Sequence, residues 1–297
     1  MTRRTWGHAG KDNRAGPRRL TRVRFPDMEQ TLALPHGTLA WDDIGSHQAA
    51  TTIVLIHGFP HDRGLWRGQV DGHAVAFSGA RLLIPDLPGF GVSTPLPDAD
   101  MDGYADAMAA MLDHARIERA VIAGLSMGGY ITFAFWRRYP ARVQALVLID
   151  SKAPADTDVA RDKRRDLIAT VERSGVGAIV PGVLTQQLGT TTRATNPVLV
   201  GQVEVMLRRS PARGVTAAAH ALMQRADSTP TLDTITVPTL IIVGDEDTVT
   251  PVSDAIAMQS AIRGSRLVTI AGAGHLSPLE QPATVNAAIA EFLDVAL

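Results

Sequence analysis

Ala120-Val121-Ile122-Ala123-Gly124-Leu125-Ser126-Met127-Gly128-Gly129-Tyr130 runs from a short apolar segment, through a glycine-flanked serine, into a segment with helical character. The run Ala120–Ala123 suits a strand buried on both faces, and Tyr130–Tyr139 reads as a helix. Glycines at 124 and 128, with Gly129 behind, leave room for a sharp strand-to-helix turn that strains the serine backbone and exposes its hydroxyl. The pattern G-x-S-x-G is weak in isolation. Its strand and helix flanks give it weight, and Ser126 becomes the candidate nucleophile.

Working outward, similar apolar runs bounded by turn residues recur at Thr52–Ile56, Arg81–Ile84, Val143–Ile149, Thr239–Val243 and Arg266–Ile270. Ahead of them, Gln30–Leu34 and Thr38–Asp42 flank Pro35-His36-Gly37 as a hairpin. Helical segments over about 100–116, 127–139, 252–262 and 281–296 alternate with the runs. Alternation of this kind predicts an α/β fold with a mostly parallel sheet and helices on both faces. From 153 to 237 the rhythm stops. Val159–Arg173, Val176–Leu188, Pro197–Arg209 and Arg213–Arg225 are amphipathic, which predicts a helical cap (153–237) inserted into a core of 28–152 and 238–297. Such an insertion is placed most simply over the C-terminal edge of the sheet, where open α/β folds bind ligands.

Composition narrows the chemistry. The 297 residues are 45% hydrophobic and 20% charged, which excludes a disordered, collagenous or coiled-coil chain. There is no cysteine, so disulfides, thiolate metal sites and a thiol nucleophile are impossible. The net charge of -1 is uneven: residues 1–27 carry eight basic side chains against Asp12 and Asp27, leaving the remainder acidic. This stretch lacks periodicity and an apolar run, so it is expected to be a flexible basic tail and not a secretory signal. A nucleic-acid role rests on that tail alone, and none is expected. With no window of about 18 apolar residues, a cytoplasmic protein without membrane contact is expected.

A serine hydroxyl needs a base to take its proton and a carboxylate to orient that base. His275, in Gly272-Ala273-Gly274-His275-Leu276, follows the run Arg266–Ile270 in a glycine loop suited to reaching the sheet edge. Gly244-Asp245-Glu246-Asp247 follows Thr239–Val243; Asp247 is the chosen acid, with Asp245 and Glu246 structural or exposed, and Asp150 at the end of Val143–Ile149 the alternative. Oxyanion donors are expected from the backbone N–H groups of Met127, which follows the nucleophile, and Phe59 in His57-Gly58-Phe59-Pro60. His57 itself is expected to be structural, and Asp86-Leu87-Pro88-Gly89-Phe90-Gly91 to shape the site.

Taken together, these five motifs in this order resemble the α/β-hydrolase superfamily over about residues 29–297, and within it the carboxylesterases related to 3-oxoadipate enol-lactonase. Ser126-Met127-Gly128-Gly129-Tyr130, the stretch from Ile149 to Lys152, and Arg225-Ala226-Asp227-Ser228-Thr229 look similar to that branch. The resemblance implies an eight-stranded sheet with a helical cap and a Ser126, Asp247, His275 triad. Epoxide hydrolases and haloalkane dehalogenases share the His-Gly-Phe-Pro start but attack with an aspartate, where this chain has Ser126. The His-Gly-Gly-Gly oxyanion loop of another esterase branch is absent, because Phe59 follows Gly58. Lys152 stands where close relatives are expected to carry arginine.

The expected activity is serine carboxylesterase chemistry on small, short-chain acyl esters through an acyl-enzyme, with water as the second substrate and neither cofactor nor metal. Trp66, Phe90 and Lys152 are expected to line the substrate pocket, although the two aromatics suit a core role equally well. An enol-lactonase is the alternative, requiring cations such as Lys152, Arg161, Arg164, Arg165 or Arg193 near an acidic substrate. A non-catalytic ligand-binding homologue is the second alternative. The chain is expected to act as a monomer or homodimer.

Overall fold

Central runs rich in Val, Ile and Leu become strands covered on both faces, and shorter or more polar runs become partly exposed edge strands. In the computed structural model, which describes residues 28–77 and 79–297, they form β1 (Glu29–Leu34), β2 (Gly37–Ile44), β3 (Thr51–Ile56), β4 (Ala80–Asp86), β5 (Ala120–Leu125), β6 (Val143–Ile149), β7 (Thr239–Gly244) and β8 (Arg266–Ile270). These join in one sheet of order β1-β2-β4-β3-β5-β6-β7-β8. The β1–β2 and β2–β4 pairs are antiparallel and the remaining neighbours parallel. The expected tail over 1–27 lies outside the described residues.

Helices α1 (Arg67–Asp71), α2 (His73–Ala76), α3 (Met101–His114) and α4 (Met127–Arg138) precede β6. Between β6 and β7 come α5 (Asp158–Ser174), α6 (Val180–Gln187), α7 (Thr190–Thr195), α8 (Pro197–Arg208) and α9 (Ala212–Gln224). α10 (Val252–Ala261), α11 (Ser277–Glu280) and α12 (Pro282–Ala296) complete the chain. No helix among the described residues is long and apolar enough to cross a membrane.

Period-2 alternation divides the strand residues between two apolar layers. Val54, Ile56, Ile122, Leu146, Leu148, Ile241 and Val243 pack on one face with Met108 of α3 and Phe133 of α4. Ile53, Leu55, Val121, Val147, Ile149, Leu240 and Ile242 pack on the other with Ile289 and Phe292 of α12. Each such side chain contributes about 1.5–3 kcal/mol by leaving water, so the middle strands anchor whatever their ends carry.

Topology then fixes where a ligand can sit. β3 has β4 on one side and β5 on the other, so successive connections diverge and leave a crevice beyond the C-terminal strand ends. Ile56 pairs level with Gly124, which brings the loops after β3 and β5 to the same rim.

Two details of the insertion differ from expectation. The single amphipathic stretch Val176–Leu188 divides into a 3-10 turn at Val176–Ala178 and then α6, where Pro181 occupies the first turn. α7 was not anticipated because its threonines have poor helix propensity. Its first turn is held from outside: the Glu246 carboxylate accepts from the Thr191 N–H at 2.8 Å and from its hydroxyl.

Candidate active site

Close backbone packing creates the turn at Ser126. A Cβ on Gly124 would stand 2.1 Å from the Gly128 carbonyl oxygen, and one on Gly128 would stand 2.3 Å from that of Ile56. Only glycine permits this approach of strand and helix. Between them Ser126 adopts φ 54°, ψ −112°, a conformation that costs a non-glycine residue of order 1–3 kcal/mol. Its backbone is pinned there. The Ser126 N–H donates to Ile149 O at 2.9 Å, and its carbonyl accepts from Gly129 N–H at 2.8 Å and Ser151 Oγ at 2.9 Å.

The three expected catalytic side chains meet at this rim. Ser126 Oγ lies 2.8 Å from His275 Nε2, and His275 Nδ1 lies 2.8 Å from Asp247 Oδ2. Asp247 Oδ1 accepts from Val249 N–H at 2.8 Å and Thr250 N–H at 3.0 Å, while the Thr250 hydroxyl donates to Oδ2 at 2.7 Å. Burial alone would raise the Asp247 pKa, but the facing His275 and these donors hold it below the usual carboxylate value. Burial of His275 would lower its pKa; Asp247 reverses this and leaves it above the ordinary 6.5.

Neighbouring carboxylates frame this pair without replacing either member. Asp150 accepts from Gly244 N–H at the start of the Asp247 loop and from Ser277 N–H just beyond His275, each at 2.9 Å. Burial, with Asp247 adding to it, pushes its pKa up to about 7. The alternative acid position therefore ties the two loops together through their amides. Glu280, which the sequence reading missed, accepts from Gly189 N–H at 2.8 Å and Gly274 N–H at 2.9 Å, bracing the histidine loop. Asp245 accepts from Gly272 N–H at 2.8 Å, while Glu246 holds α7. Among the described residues no group of three His, Asp or Glu side chains is arranged to hold a metal ion.

The loop after β3 lies against the nucleophile: a Cβ on Gly58 would stand 3.2 Å from Ser126 Cβ. Gly58 O accepts from His61 N–H at 3.0 Å, closing a tight turn that contains Phe59. Met127 opens α4, where amides lack intrahelical acceptors. Its N–H and that of Phe59 thus belong to the two segments flanking Ser126. His57 is buried and structural, as expected. Its Nε2 accepts from Leu87 N–H at 2.9 Å, which leaves Nδ1–H to donate to Gly58 O at 3.0 Å.

Burial lowers the pKa of both His57 and His61 to about 4. Below 6.5 the unfolded chain protonates these histidines before the native state does, so their contribution is complete above pH 6.5 and is lost as pH falls toward 4. Asp150 acts in the opposite sense, so a variant comparison isolates the histidine effect. His57→Gln is expected to flatten the pH dependence of unfolding free energy between 4 and 6.5 by about 1.4 kcal/mol per unit, read from urea titrations. An unchanged slope contradicts a buried neutral imidazole.

Pocket residues fare differently. Trp66 and Phe90 are both 0% exposed. Trp66 packs in the apolar cluster that contains Val203 and Leu276, and Phe90 stands edge-on to His57 at 5.5 Å between ring centroids. Core packing accounts for both. Lys152 is half-buried near Asp254, whose carboxyl is raised by burial and drawn back by the lysine charge. Arg161, Arg165 and Arg193 bond Asp158, Asp162 and Thr190 on their own helices. Arg164 is distinct. It donates to Asp156 at 2.7 Å, and its guanidinium carbon lies 5.9 Å from the centroid of the Phe59 ring. Beside it Arg225, also paired with Asp156, stacks 4.2 Å above Tyr130.

Similarity to known proteins agrees with this architecture. Residues 51–282 match the family model described as alpha/beta hydrolase fold. The chain is 30% identical to 3-oxoadipate enol-lactonase 1 of Acinetobacter baylyi over 239 residues, covering 80% of this chain and 87% of that protein. It is 28% identical to a pimeloyl-[acyl-carrier protein] methyl ester esterase of Neisseria meningitidis, covering 83% and 78%. A solved thermophilic esterase from Thermogutta terrifontis, with malate bound, superposes with a TM-score of 0.85 at 35% identity, covering 90% of this chain and 98% of that one. With the family model spanning most of its length, the chain belongs to the α/β-hydrolase superfamily and is related to the enol-lactonases.

Proposed function

We propose that the protein is a serine carboxylesterase acting on small, short-chain acyl esters. The observation that carries this reading is the continuous chain Ser126 Oγ, His275 Nε2, His275 Nδ1, Asp247 Oδ2, with both links at 2.8 Å. His275 takes the Ser126 proton as Oγ attacks the ester carbonyl, and Asp247 stabilises the imidazolium without itself becoming protonated. The amides of Phe59 and Met127 receive the oxyanion; one such donor is worth roughly 3–4 kcal/mol in the transition state. The alcohol leaves with the proton from His275. Water, activated by the same histidine, then cleaves the acyl-enzyme and releases the acid. Protein groups supply every proton transfer in this scheme, with no cofactor or metal. The helices of 153–237 serve as the cap over the site.

One observation favours a second reading, a lactonase for acidic enol-lactones. Of the candidate cations, Arg164 is the one stacked against the oxyanion loop at Phe59. Hydrolysis rates for p-nitrophenyl acetate, butyrate and dodecanoate, measured beside a carboxylated enol-lactone, separate the two. The esterase reading expects the short esters to exceed dodecanoate by at least about tenfold in kcat/KM. It also expects Arg164→Gln to leave those rates unchanged. Preferred turnover of the lactone, lowered about tenfold by Arg164→Gln, supports the second reading instead.

A further inference from the structure

Gln187, at the end of α6, is buried and bonded in three directions. Its Nε2 donates to Phe59 O at 2.8 Å, which leaves Oε1 to accept from His61 Nε2–H at 2.8 Å. Its backbone carbonyl accepts from His275 N–H at 2.8 Å. One residue of the helical insertion therefore joins the loop after β3 to the loop that carries the base. No chain neighbour links those loops, since His61 and His275 lie far apart in sequence.

Surrounding contacts leave this bridge little slack. Ser210 Oγ donates to Pro60 O, and Arg209 bonds both oxygens of Asp62 at 2.7 and 2.8 Å. Each residue from Phe59 to Asp62 thus meets a partner from the insertion. On the other side, a Cβ on Gly274 would stand 2.3 Å from Gly189 N, so the backbones after Gln187 and before His275 are in direct contact.

We propose that Gln187 is a positioning residue for the reaction: its side chain fixes the Phe59 peptide relative to Ser126, against a backbone that is itself tied to His275, making the helical insertion part of the catalytic apparatus as well as its cover. This inference rests on the esterase reading, in which the Phe59 amide receives the oxyanion. Charge develops on that oxygen only in the transition state, so a displaced donor lowers kcat while substrate binding survives. Without Gln187 the Phe59 carbonyl and His61 Nε2–H lose their partners, and the loop moves to find others.

Gln187→Met has similar length and no side-chain hydrogen bonds; Gln187→Glu keeps an acceptor for His61 but loses the donor to Phe59. Both are expected to lower kcat for p-nitrophenyl butyrate by about 10- to 100-fold with KM changed less than about threefold. A trifluoromethyl ketone, which forms a tetrahedral oxyanion with serine, should lose affinity by the same factor as kcat. Circular dichroism identifies a variant that fails to fold, and the second substitution then carries the measurement. A folded variant with wild-type kcat and wild-type ketone affinity overturns the positioning role alone. Wild-type protein lacking turnover that depends on Ser126 overturns the esterase reading and this inference together.

Discussion

Ser126→Ala is expected to lower kcat for a short-chain ester by about 10⁶-fold while the protein stays folded. The size of the loss follows from what the side chain does. Its Oγ is the atom that His275 Nε2 faces at 2.8 Å, and no acyl-enzyme forms without it. What remains is a water attacking directly, helped by the oxyanion donors, for roughly 10³-fold over the uncatalysed rate. Alanine leaves the positive φ of 54° in place, so no relief of strain confuses the comparison. A variant within tenfold of the wild type contradicts the nucleophile assignment.

Asp247→Asn should cost about 10⁴-fold in kcat, because an amide facing His275 Nδ1 favours the wrong tautomer of the imidazole. The wild-type pH profile provides an independent check. His275 must be neutral to act as base, and Asp247 holds its pKa above 6.5, so kcat/KM should fall as pH drops through a midpoint above that value. Asp150→Asn is the control for the alternative acid. Its carboxylate receives the Gly244 and Ser277 amides and makes no bond to the imidazole, so its loss should be at least about a hundredfold smaller. If Asp150→Asn is the more damaging change, the acid has been assigned to the wrong strand.

The strands were legible because Val-, Ile- and Leu-rich runs between turn residues have few other uses in a chain of this length. Ser126, Asp247 and His275 were legible for a related reason: each follows such a run, and a parallel sheet brings all its C-terminal ends to one rim. Gln187 carried no such signal. It is a polar residue at the end of a short helix, and its partners at Phe59, His61 and His275 become neighbours only when the insertion folds back. Glu280 was missed likewise, since a glutamate five residues beyond His275 looks like an exposed helix residue until Gly189 and Gly274 supply their amides. Trp66 and Phe90 show the converse. Aromatic residues near a site serve as lining or as core, and the sequence does not say which neighbours pack against them.

Covalent labelling tests the central claim most directly. A p-nitrophenyl phosphonate transfers its phosphonyl group fastest to a nucleophile activated beside an oxyanion site, releasing p-nitrophenolate, and mass spectrometry locates the adduct. One phosphonyl group per chain on the peptide containing Ser126, abolished by prior trifluoromethyl ketone and absent in Ser126→Ala, is the predicted result. No adduct, or an adduct on another residue while Ser126 stays unmodified, contradicts it.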